Sequence, residues 1–269
     1  MKIGIIGLGL IGGSILKNFV ETEHKILAVT RNQATLDKIR GMVYKCSSDY
    51  EILSEADAVF VCTPIHKVLE TLDKLENIVS KDCVVTDVAS VKTFVTQKKR
   101  PYNFIPSHPM AGTENSGYDS SFKELFQGAK WVITPFDSKD YSVLQNLIDL
   151  TGAKTIVTTA KEHDKAVALI SHMPMYISQC LFDVAKGNKL AMQLASSGFR
   201  DTTRLAMTDL NLAKDMLSFN GNNIDECLLL FQNKLKELKS EYNDEKLSEI
   251  KDLRHKMYSK DGKNIVEIN

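Results

Sequence analysis

A chain of 269 residues with 34 basic and 34 acidic side chains is neutral overall. That balance argues against a nucleic-acid or polyanion partner, whose footprint would be a basic excess, while leaving room for a local basic pocket around one small anion. The length suits one large domain or two ordinary ones, with enough buried apolar surface to dispense with disulfides or structural metals.

The cysteines, Cys46, Cys62, Cys83, Cys180 and Cys227, are odd in number and form no C-x-x-C pair. Buried thiols in a reducing, cytoplasmic setting are the simplest reading, with no metal site. Lys2 and the apolar run to about Leu16 imitate a signal peptide. The run is too short to cross a bilayer and is interrupted by Gly4, Gly7, Gly9, Gly12 and Gly13. We expect no targeting segment and no membrane partner.

In chain order, Lys2–Ile6 reads as a buried strand and Ile11–Glu21 as a helix. Strands follow at Lys25–Thr30, Ala58–Cys62, Val84–Thr86, Trp131–Thr134 and Lys154–Val157, with helices such as His66–Val79 and Ser142–Leu150 between them. Alternation of this kind predicts an α/β, Rossmann-type N-terminal domain with a parallel sheet, over residues 1–157. From about Ala160 the pattern turns helical: Lys161–Lys186, Lys189 to about Phe199, and Leu210–Phe219. Residues 158–269 are therefore expected to form an all-α domain. Leu228, Phe231, Leu235, Leu238 and Tyr242 recur at three- and four-residue spacing, a coiled-coil-like seam. Asn243-Asp244-Glu245 reads as a break and new cap, followed by Leu247, Ile250, Leu253 and Met257. The seam fits packing within its own domain or a homodimer interface equally well. The last ten residues are polar and expected to be loosely held.

Gly7-x-Gly9-x-x-Gly12 directly follows the first strand and opens the first helix, where the motif is specific for a dinucleotide. Gly7 permits the tight turn, Gly9 the approach of the pyrophosphate, and Gly12 the close packing of helix on sheet. Leu10, between Gly9 and the helix, is a further cofactor-binding candidate, and the free N–H groups at the helix start suit phosphates. The second strand ends in Thr30-Arg31, with no carboxylate for a ribose 2′-hydroxyl and a guanidinium that can pair with a 2′-phosphate. NADP is therefore expected, with NAD the alternative. Arg31 as a plain surface residue is the other reading. Thr63 and Pro64 end a later strand and should line the same cleft, although an ordinary loop start fits each residue alone.

Ser90 follows the strand Val84–Thr86 and should face that cleft. Pro109 disfavours helix at His108, placing the histidine in an extended or turn segment as a candidate proton acceptor. Pro174 falls inside the helix Lys161–Lys186 and should kink it beside His172. His172 is then either near substrate or a core histidine satisfied by hydrogen bonds. Glu162 and Asp164 read as helix-start charges.

With the glycine loop, the ordered segments DVASVK (87–92), SHPMAGTE (107–114), EHD (162–164), SHMP (171–174) and GFRDTTR (198–204) resemble the prephenate/arogenate dehydrogenase family in its compact form. The resemblance covers nearly the whole chain. It implies an NAD(P)-linked oxidative decarboxylation of a cyclohexadienyl acid in tyrosine biosynthesis, by a homodimer. It assigns His108 and Ser90 to catalysis and Arg204, His172, Thr113, Glu114 and Arg200 to substrate. Asp201 would either hold a guanidinium in place or form a helix-end salt bridge. With the chain ending at residue 269, no mutase or regulatory domain is expected. Prephenate-specific members carry a second histidine in S-H-x-P-H, where this chain has Met175, so arogenate or both substrates are open. Two rivals stand beside this reading. A β-hydroxyacid-type dehydrogenase would need a helix lysine, for which Lys165 is the nearby candidate. A non-catalytic NADP-sensing module should have lost Ser90, His108 or Arg204.

Overall fold

The computed structural model describes residues 1–113, 115–136, 140–240 and 243–258. Its contacts divide the chain into two compact units, Met1–Ile224 and Asp225–Asn269.

The first unit is built on a six-stranded parallel sheet: β1 (Lys2–Ile6), β2 (Lys25–Val29), β3 (Lys45–Ser47), β4 (Ala58–Val61), β5 (Val84–Asp87) and β6 (Asn103–Phe104), in the order β3-β2-β1-β4-β5-β6. β1 pairs with β2 and β4, Ile5 lying opposite Ala28 and Phe60. The central strands are apolar on both faces, as parallel strands covered by helices must be. Ile3, Ile5 and Phe60 enter one core cluster, while Ile6, Val59 and Val61 enter the other. α1 (Leu10–Phe19) links β1 to β2, α2 (Gln33–Ile39) links β2 to β3, and α3 (Ile65–Leu75) links β4 to β5. Strand order reverses between β1 and β4, and a ligand crevice opens beyond the carboxyl ends of strands at such a switch point.

Trp131–Thr134 and Lys154–Val157 are strands as expected, but they do not extend the parallel sheet. β8 (Lys130–Ile133) and β9 (Lys154–Val157) form a second, mixed sheet with β7 (Ser107–Pro109), which runs antiparallel to β8. β3, β6 and β7 were not foreseen. Each is only two or three residues long, too short to show a period, and β7 ends in a proline that suits a sheet edge. Trp131 joins the layers: it is fully buried, packs edge-on against Phe60, and donates through Nε1 to Ser107 Oγ at 3.0 Å. α4 (Ser142–Asp149) lies between β8 and β9.

Every element after β9 is helical among the described residues. α5 (Ala160–Val167) opens on a capping box of Thr159 and Glu162. A π turn, Ala168–His172, then leads into α6 (Met173–Lys186). Helical backbone runs without a break from Ala160 to Lys186, so Pro174 lies inside it as expected, two residues after the π turn, which absorbs the irregularity of its missing N–H. The expected helix from Lys189 breaks into α7 (Lys189–Leu194) and α8 (Ser197–Thr203). α9 (Leu210–Ser240) is interrupted at Asn220, whose φ of −134° and ψ of 17° are non-helical, one residue beyond the expected end at Phe219.

In the second unit, α10 (Asp244–Met257) is capped by Asn243, which accepts from the Glu245 and Lys246 N–H groups. Leu235, Ile250 and Leu253 of the apolar stripes are exposed, and Leu228, Phe231, Leu238 and Leu247 are half-buried. Tyr242 lies outside the described residues. No helix among them is long and apolar enough to cross a membrane. Cys83 and Cys227 are buried, but Cys180 is exposed on α6, against the expectation of uniformly buried thiols.

Candidate active site

The turn after β1 depends on its glycines. Gly7 has φ 87°, and a Cβ there would sit 2.7 Å from the Cys62 carbonyl oxygen. A Cβ on Gly12 would lie 2.0 Å from the Gly7 carbonyl oxygen, so a side chain there would force α1 off the turn. At Gly9, by contrast, nothing lies within 4 Å, leaving open space at the start of α1. Leu10 begins that helix, whose first N–H groups have no intrahelical acceptor.

Beside the turn is a cleft of about 240 Å³ lined by Gly7, Thr30, Arg31, Thr63 and Pro64, and also by Asn32 and Tyr50, which the sequence did not single out. None of its described lining residues is acidic. Thr63 Oγ1 is buried with no hydrogen-bond partner. Leaving such a group unpaired costs about 1–3 kcal/mol, which a ligand hydrogen bond would offset. An open glycine cradle, free helix N–H groups and a waiting hydroxyl fit a dinucleotide.

His108 is the middle residue of β7 and is half-buried. Its Nδ1 lies 3.0 Å from Nε2 of His163, with the rings edge-on at 80°. His163 Nδ1 is 2.8 Å from Asp164 Oδ1. The Asp164 carboxylate also accepts the backbone N–H groups of Lys92 (2.7 Å) and Thr93 (2.8 Å). Lys92 is fully buried; its ammonium pairs with the Asp87 carboxylate and donates to the Ser107 carbonyl at 2.7 Å. Burial pushes the Asp87 carboxyl up and the Lys92 ammonium down, each opposed by the other's charge. Burial, and then the charges of His163, Lys92 and His172, hold the His108 imidazole well below its usual 6.5. It is neutral at neutral pH, as a proton acceptor must be.

His172, in the π turn, is buried. Its Nδ1 lies 3.2 Å from Asn220 Nδ2, which also donates to the Asp164 carbonyl at 2.8 Å. Burial lowers its pKa to about 4, and its Nε2 is buried without a partner. The kink in α9 falls at the residue that makes these bonds. Asp164 is therefore more than a helix-start charge, because it anchors two backbone N–H groups and a histidine. Glu162 keeps the expected role, in the capping box. His163 stood in the EHD segment but was given no role; its signal was the spacing to Val167, which puts both on the buried face of α5.

The remaining candidates are more dispersed. Ser90 follows β5, half-buried, with no hydrogen bond among the described residues. Thr113 is exposed and accepts from the Asn115 N–H at 3.2 Å. Glu114 lies outside the described residues. Arg204 is exposed at the head of a short 3₁₀ turn, Arg204–Met207, without an ion pair among the described residues. Asp201 does not hold it. Asp201 pairs instead with Arg200 at 3.0 Å, both exposed, which is the helix-end salt bridge. Lys165, the rival acid–base candidate, is exposed on α5.

Residues 15–157 match the model of the prephenate dehydrogenase nucleotide-binding domain, and residues 159–258 that of the prephenate dehydrogenase dimerization domain. The chain belongs to the prephenate dehydrogenase family. It is 32% identical over 251 residues to prephenate dehydrogenase of Lactococcus lactis subsp. cremoris, spanning 88% of this chain and 70% of that one. Among solved structures, Synechocystis arogenate dehydrogenase is 36% identical with a TM-score of 0.80, covering 94% of this chain and 96% of the other. Prephenate dehydrogenase from A. aeolicus, solved with hydroxyphenyl propionate and NAD+, is 26% identical with a TM-score of 0.84, covering 94% and 97%. Family membership and fold thus agree in placing a nucleotide-binding domain before a helical dimerisation domain.

Proposed function

We propose that the protein oxidises and decarboxylates a cyclohexadienyl acid, prephenate or arogenate, with NADP as preferred hydride acceptor. The observation that carries this reading is His108, neutral and half-buried on β7 in a chain that carries the family's glycine turn. Such a substrate bears a hydroxyl at one end of its ring and a carboxylate at the other. The nicotinamide supplies a hydride acceptor for the hydroxyl-bearing carbon. His108 takes the hydroxyl proton as that hydride leaves. The bond to the ring carboxylate then breaks, carbon dioxide departs, and its bonding electrons complete an aromatic ring. Orientation and proton handling carry the rate, since no covalent intermediate with the protein is needed. Ser90 is assigned to fix the hydroxyl and Arg204 to grip a carboxylate through its planar fork.

NADP is favoured by Arg31 in a cleft with no acidic residue among its described lining. The homodimer is supported by the family's dimerization domain and by exposed Leu235, Ile250 and Leu253. For the substrate, buried Met175 stands where prephenate-specific members carry a second histidine. Incubation with each acid and each cofactor, following reduced nicotinamide, tests the reading. Turnover of at least one acid, faster with NADP, is expected. Oxidation of neither acid would overturn it, and turnover with NAD alone would overturn the cofactor assignment.

A further inference from the structure

With Asp164 ionised and His163 carrying a single ring proton, the distances along the buried line from Asp164 to His108 assign each proton a place. An ionised carboxylate only accepts, so His163 must place its proton on Nδ1 to bond Asp164 Oδ1 at 2.8 Å. A neutral His163 then offers a bare Nε2. That nitrogen lies 3.0 Å from His108 Nδ1, which must therefore be the protonated one. What remains on His108 is a bare Nε2. We infer that His163 is a positioning residue that, anchored by Asp164, locks His108 in the tautomer whose Nε2 lone pair can take the substrate proton. This rests on His108 being the proton acceptor.

Several observations bear on the lock. The Asp164 carboxylate cannot swing away, because the Lys92 and Thr93 N–H groups hold its two oxygens separately. Lys92 also donates to the carbonyl of Ser107, the residue before His108, so one buried lysine ties both ends of the line. Charged or titratable groups facing His108 are Lys92 from the segment after β5, His163 from α5 and His172 from the π turn. A doubly protonated His163 would reverse the arrangement: its Nε2–H would donate to His108 Nδ1 and move the His108 proton to Nε2. In the productive state the balance is simple. The substrate O–H bond breaks, its proton joins His108 Nε2, and the imidazolium keeps its Nδ1–H on His163. Water takes the proton when product leaves. Asp164 is not protonated at any step, as in other histidine–carboxylate pairs.

The test combines spectroscopy with kinetics on the full chain. Imidazole ¹⁵N NMR of the free protein above neutral pH, assigned with His108→Gln and His163→Gln, should show His108 protonated at Nδ1 and bare at Nε2. His163→Leu removes both ring nitrogens, while backbone N–H groups still hold Asp164. It should lower kcat by about 10²-fold or more, with NADP affinity unchanged, and let the His108 proton redistribute to Nε2. His163→Gln, whose amide oxygen can accept from His108 Nδ1, should recover much of the rate. A wild-type His108 bare at Nδ1, or a His163→Leu enzyme within a few-fold of normal kcat, would overturn the inference. Failure of the underlying reading is distinct: there His108→Ala itself would turn over normally, whatever the tautomer.

Discussion

At the level of single residues, the environment of His108 makes a pH prediction with a definite sign. Burial disfavours the imidazolium, so its folded pKa lies well below 6.5. Activity that needs the neutral ring should persist as pH falls through 6.5 and drop only on the acid side of it. A kcat/KM profile of the free enzyme reads that limb directly. His108→Ala should lower kcat by roughly 10²–10⁴-fold while leaving nucleotide affinity intact; a variant with near-normal turnover would remove His108 from the chemistry. Arg31 makes a separate prediction. Pairing with a 2′-phosphate is worth about 1.5–3 kcal/mol, so Arg31→Ala should weaken NADP roughly ten- to a hundred-fold and barely move NAD. Equal loss for both cofactors would mean that Arg31 does not discriminate. The placement of His108 in an extended segment and of Arg31 at a cleft was legible because each sits beside a strand end or a proline that fixes its place. His163 was not, since its meaning lies in a contact with a residue 55 positions away.

At the level of elements, the glycine turn shows why a short motif was readable. Its three glycines meet three different physical demands: a positive φ, an open approach and a close contact. Gly12→Ala would put a methyl group against the Gly7 carbonyl, forcing α1 outward. A loss of about 1–3 kcal/mol in unfolding free energy is expected, as for overpacked cores, together with weakened nucleotide binding. Calorimetry and a binding titration on the variant would check both, and a fully stable variant that binds normally would show that α1 is less tightly seated. The central strands of four or five residues were equally legible, from apolar runs rich in Ile and Val. β6 and β7 were not, because strands of two or three residues are made by their partners rather than by their own pattern. The π turn before Pro174 was read as a kink: the proline announced an irregularity but not its form. α9 is the opposite case, because its break at Asn220 adjoins the expected helix end at Phe219.

At the level of the whole molecule, apolar side chains on the helices ask for a partner. Leu190, Leu194, Met207 and Leu210 are exposed in the first unit, and Leu235, Ile250 and Leu253 in the second. Leu235→Glu would bury an unpaired charge if that stripe is an interface, a strongly disfavoured arrangement. Sedimentation should then show monomer or aggregate in place of dimer, and a dimer of unchanged affinity would exclude the stripe. The helical character of this region was plain from its spacing. What a single sequence does not state is whether a stripe meets its own chain or a second copy, because both bury the same faces. Most direct for the function itself is a stoichiometric turnover measurement on the wild-type protein and on His108→Ala, with prephenate and arogenate supplied separately with NADP. The expected result is one carbon dioxide and one reduced nicotinamide for each acid consumed by the wild type, with the rate all but lost in the variant. A wild-type protein that binds NADP but releases no carbon dioxide from either acid would contradict it.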